Sequence, residues 1–208
     1  MDRLAIEDWL KIQGVENYTI NEDLSVDVNG DVDISTKNLI KFPVRFRNVS
    51  GDFNCFKNQL TLLEDGPASV GGNFNCGGNY LVSLKDGPVS VGGDYFCHVN
   101  KLKNLNGCPI KIGGSFHCDY NELISLVGCP NEVVGDFSCS NNMLSSLNGC
   151  LDIIGNDFNC SYNRLSNLSG GPKKVGGNFY CNDNELTSLN YCPESIDSSF
   201  YCYNNGFN

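Results

Sequence analysis

The 208-residue chain contains no apolar run near the roughly 20 residues needed to span a bilayer, which excludes a transmembrane helix. Positive charge is scarce, with 14 Lys and Arg against 24 Asp and Glu and a formal net charge of -10. A nucleic-acid binder needs a basic face for the phosphates, so that class is not expected. The start, MDRLAIEDWLKIQGV, places acids inside its apolar pattern and has no small-residue cleavage site, so it does not read as a signal peptide. No CxxC pair occurs among the 12 cysteines, and only two histidines are present, so a zinc site is not expected.

The cysteines are instead periodic. Cys55, Cys76, Cys97, Cys118, Cys139, Cys160, Cys181 and Cys202 fall 21 residues apart without a gap. Cys108, Cys129, Cys150 and Cys192 form a second column on the same period, with Gly66, Gly87 and Gly171 in its other slots. Repeated burial of a small apolar side chain produces this register, and disulfide frameworks rarely do. Reduced core thiols, and with them a bacterial cytoplasmic location, are the expectation.

Other columns align on the cysteines. An aromatic stands two residues before each, from Phe53 to Phe200, with Tyr95 as the one tyrosine. An asparagine stands three after each, from Asn58 to Asn205, and leucines follow at five and eight, ending at Phe207 and Leu189. Aromatic-x-Cys reads as a short strand with both marked side chains on one face. The glycines before it suggest a tight bend, and Asn-x-Leu, Leu and Pro describe a return path. One such coil cannot bury its own apolar face, whereas stacked coils can, so the period predicts a solenoid. The buried asparagines must bond the loop backbone of their own and the next coil.

A degenerate coil precedes the obvious ones, with Val32, Ile34, Leu39 and Phe42 lying 21 residues before Phe53, Cys55, Leu60 and Leu63. Ahead of it, Leu4, Ile6, Trp9, Leu10 and Ile12 fit one amphipathic helix. Residues 1–27 are therefore expected to cap a continuous solenoid over 28–208, built of about nine coils with short parallel strands in a right-handed, curved stack.

The phrase F-x-C-x-x-N-x-L-x-x-L resembles the strand-and-turn segment of leucine-rich repeats, with Phe and Cys in the two strand leucine slots. Phrases such as NRLSNL and NELTSL look most like the short bacterial class found in secreted effectors of enteric pathogens. Those effectors often add a cysteine-dependent ubiquitin-ligase domain, and no such segment follows the repeats here. A closer resemblance is to repeat proteins of tailed phages and prophages, in which GGxFxCxxNxLxSLxGCP recurs behind an opening similar to INEDLSVDVNGDVDIS. The resemblance implies fold and phage origin rather than an activity.

In a leucine-rich-repeat stack, strand residues that alternate with Phe and Cys line the concave face. Here those columns contain no lysine or arginine. Asp52, Asp94, Asp136 and Asp157 form an acidic edge; Phe56, Phe96, Tyr180, Tyr201 and Tyr203 add aromatics; His98, His117 and Asp119 lie on adjacent strands. Aromatics anchor protein interfaces, although strand propensity and ordinary solvation account for the same residue types. A metal bridging the two histidines is a minor alternative. Nucleophile and base would lie on opposite faces of the sheet, which disfavours a Cys–His enzyme. The residues thus favour a non-enzymatic protein-binding module without cofactor or metal, for a basic host or phage protein such as an antiviral factor that it would block. An assembly role in phage particles through the coil ends is the runner-up. The last coil leaves open a monomer, a two-fold homodimer or another protein over that end.

Overall fold

A computed structural model describes residues 1–207. Asp2 caps helix α1 (Arg3–Ile12) by accepting the Ala5 N–H at 2.9 Å. Ile6 and Leu10 are the buried residues of this helix, while Leu4 and Ile12 are exposed. Strands β1 (Tyr18–Ile20) and β2 (Val26–Val28) form an antiparallel hairpin, and β2 then pairs in parallel with Phe46–Val49. Trp9 packs edge-on against Phe46 at 6.4 Å, so the helix covers the first coils as a cap must.

Beyond the cap the chain is a parallel β-solenoid of about 21 residues per turn. Nine two-residue strands, from Val32–Asp33 to Phe200–Tyr201, form the front sheet, and each pairs in register with its counterpart 21 residues away. The single strand per coil read from periodicity is incomplete. Each coil carries a second strand just before its glycines, such as Ser69–Val70, Ser90–Val91 and Lys111–Ile112, and these build a side sheet. The signal was present as a Val/Ile column, Val49 to Ile196, six residues before each cysteine.

Between the two sheets the glycines are needed for close stacking rather than for a bend. A Cβ on Gly92 would lie 2.1 Å from the Gly71 carbonyl oxygen, and one on Gly113 would lie 2.1 Å from that of Gly92. Val134 stands in the same column, and the side sheet divides right after that coil, between Glu132–Val133 and Ile153–Ile154.

The aromatic column forms the spine of the core. Successive rings from Phe53 to Phe200 lie 5.1–5.9 Å apart, and those from Phe53 to Phe179 are fully buried. Beside it run the strand cysteines and both leucine columns, which are equally buried through the interior coils. In the last coil Leu189 is 45% exposed and Phe207 40%, so the apolar set does not close there as the periodicity implied. All twelve cysteines are free thiols; Cys108, Cys129, Cys150, Cys192 and Cys202 are only partly buried.

Two residues after each cysteine the backbone turns into the left-handed region, at Lys57, Gly78, Val99, Tyr120, Asn141, Tyr162, Asp183 and Asn204. That turn aims the following asparagine inward. Asn79 accepts the Leu60 N–H at 3.0 Å and donates to the carbonyls of Cys55 and Cys76 at 3.1 Å each. The same set recurs to Asn205. The amides therefore tie each coil to the one before it, where the pattern suggested the one after. Among the described residues no helix is long and apolar enough to cross a membrane.

Candidate functional site

The outward face of the front sheet carries the three columns that alternate with Phe and Cys. The first, three residues before each cysteine, is a side-chain-to-backbone ladder. Asp31 accepts the Asp52 N–H at 2.8 Å, Asp52 that of Asn73 at 2.7 Å, and Asp94 that of Ser115 at 2.7 Å. Asp136 and Asp157 continue it at 3.1 and 2.7 Å. A short acceptor is what this slot requires, which is why it holds only Asp, Asn and Ser. The ladder engages one oxygen per residue and does not require charge. The chain's four ion pairs among the described residues all lie off this face, so Asp52, Asp94, Asp136 and Asp157 have no cationic partner there.

The second and third columns bring the aromatics together in two groups. His117 stacks on Phe96 with centroids 4.9 Å apart and planes within 6°, as register neighbours on adjacent strands do. His98 meets Phe96 edge-on at 6.1 Å and Phe56 at 5.8 Å. Phe56 and His98 are two coils apart and meet because Gly77 lies between them; a Cβ there would be 2.7 Å from His98 Cε1. All four rings are half-buried. At the other end Tyr180 and Tyr201 stack at 4.7 Å with planes within 3°. Tyr203 is 57% exposed and outside that stack.

Asp119 lies between these groups. It accepts the hydroxyl of Ser138, and that of Ser140 at 3.5 Å. Burial raises its carboxyl pKa against the opposing pull of the Ser138 hydrogen bond and the two histidines. Burial likewise lowers the His98 pKa, outweighing the attraction of Asp119, so this imidazole favours its neutral form. No group of three His, Cys, Asp or Glu among the described residues is placed to hold a metal ion, His98, His117 and Asp119 included.

Between the two aromatic groups lies an open cavity of about 190 Å³, lined by His117, Asp136, Ser138, Asp157, Asn159 and Tyr180, with Phe137 beneath. Four of these are sequence-predicted site residues; Ser138 and Asn159 were missed as sites because small polar side chains on a strand give no signal of their own. Asp52 and Asp94 do not line this cavity. The thiols of Cys97 and Cys118 are buried on the opposite face of the sheet, and burial pushes their pKa well up. Comparison with known proteins gives no family model, no curated relative and no solved structure that matches this chain.

Proposed function

We propose that this protein is a non-enzymatic binding module whose front-sheet face docks a basic protein. The observation that carries the reading is the ring cluster of Phe56, His98, Phe96 and His117. Four half-buried rings, held against one another before any partner arrives, present apolar area at little ordering cost. Around them the columns carry carboxylates, amides and hydroxyls and no lysine or arginine, which favours a cationic partner and speeds its approach. The repeat's resemblance to phage and prophage proteins supports a phage-encoded module acting on a host or phage protein in the bacterial cytoplasm, with blockade of a host defence factor as its effect.

A second reading, assembly through the end of the stack, draws on the exposure of Leu189, Tyr201 and Phe207. The test compares capture of a basic protein from bacterial lysate by the unaltered chain, by Phe96→Asn with His117→Ser, and by Ser90→Lys on the side sheet. Each substitution uses a residue already found in its own column, so folding should be retained. Loss of the captured protein with the front-sheet variant alone is expected. Loss only with Ser90→Lys would place the docking surface elsewhere.

A further inference from the structure

We infer that the cavity between His117 and Tyr180 is a receiving slot for one arginine side chain of a basic partner segment. This rests on the front sheet being the docking face and names what that face reads.

In register, His117, Ser138, Asn159 and Tyr180 occupy four successive strands. With strands about 4.8 Å apart, the two rings rise roughly 14 Å from each other over a floor of two small side chains. One face of Tyr180 is covered by Tyr201, and the ring also lines the cavity. The chain's own lysines sit over Phe56 and Tyr80, at 5.2 and 5.3 Å, and none sits over Tyr180. Its π-face is free for an outside cation.

Carboxylates stand at the rim. Asp157 is engaged by Asn178 through both oxygens. Asp136 receives Asp157 N–H and Asn156 Nδ2 on Oδ1 alone, which leaves Oδ2 without a partner among the described residues. A cation lying on Tyr180 and reaching this rim meets an unspent acceptor and two uncompensated negative charges. The hydroxyl of Ser138 already donates to Asp119, and Asn159 offers an amide at the floor.

Arginine fits this arrangement better than lysine. Its guanidinium is flat, stacks on an aromatic ring, donates in a fork to carboxylate and carbonyl oxygens, and is more weakly hydrated than an ammonium. The free space of about 190 Å³ admits one such side chain rather than a folded ligand.

The experiment titrates the full chain with two fluorescent peptides, one alternating Gly and Arg and one alternating Gly and Lys, while amide shifts are followed by NMR. The arginine peptide is expected to bind at least about fivefold tighter and to shift Ser138, Asn159 and Tyr180. Tyr180→Ser and Asp136→Asn should each weaken it about tenfold. Both are substitutions the columns already use, and the asparagine keeps the ladder acceptor. Asp52→Asn, an equal charge change outside the slot, should have little effect. Equal affinity for both peptides, with Asp52→Asn as damaging as Asp136→Asn, would mean diffuse acidic attraction and overturn the slot. No binding at millimolar peptide would overturn it as well. Shifts confined to Phe56, Phe96 and His98 would overturn the slot and keep the docking face. Shifts confined to the side sheet would remove both.

Discussion

Replacing Asn121 with alanine removes a side chain that makes four hydrogen bonds in mid-stack. Its Oδ1 accepts the buried Leu102 N–H at 3.0 Å, and its Nδ2 donates to the carbonyls of Cys97, Cys118 and Asp119 at 3.0, 3.1 and 3.2 Å. The losses are unequal. The Cys97 carbonyl keeps a donor in Asn100 and the Cys118 carbonyl keeps one in Asn142, each at 3.1 Å. The Leu102 N–H has no second acceptor among the described residues, so it alone is orphaned.

An orphaned buried donor costs about 1–3 kcal/mol, and the weakened carbonyls and vacated volume add to it, so about 2–3 kcal/mol is expected. For a chain of this length that lowers the melting temperature by about 5–10 °C. Asn205→Ala is the control. It removes the same kind of bonds, to Leu186, Cys181, Cys202 and Tyr203, at a half-buried site where water replaces them. Its effect should stay under about 1 kcal/mol. Thermal unfolding followed by circular dichroism measures both. Equal shifts for the two variants, or none for Asn121→Ala, would refute the account of the asparagine column as a buried inter-coil tie.

Two further outcomes follow from the core. Native alkylation read by mass spectrometry should be confined to the partly buried Cys108, Cys129, Cys150, Cys192 and Cys202, with all twelve thiols reacting after denaturation. Burial pushes Cys76 up to about 12, so at pH 8 almost none of it is thiolate; rapid native labelling of Cys76 would contradict this packing. Tyr95 is the one tyrosine in the aromatic column, and its hydroxyl lies by the Cys76 thiol without a hydrogen-bond partner of normal geometry. Tyr95→Phe should therefore stabilise the chain by about 1 kcal/mol, and a loss of stability in urea unfolding would show that the hydroxyl is bonded after all.

The 21-residue recurrence determined the solenoid, its inward columns and the burial of the asparagines. Each is an interaction between the same slot in successive coils, so it must repeat in the sequence if it repeats in space. The stacks of Phe96 on His117 and Tyr180 on Tyr201 were legible for that reason, being in-register neighbours. The ladder that uses the aspartates as backbone acceptors was not, because Asp, Asn and Ser satisfy it alike and the letters alone read as a charged edge.

Only the tertiary structure decided the contacts that break the period. Phe56 reaches His98 two coils away because Gly77 leaves no side chain between them. The cavity exists because two small residues, Ser138 and Asn159, happen to separate two ringed ones. The side sheet is split beside Val134, and the last leucine, Leu189, is left in solvent. The repeat specifies an average coil. Binding surfaces are made by departures from that average, and what each departure does depends on which side chains stand beside it in neighbouring coils.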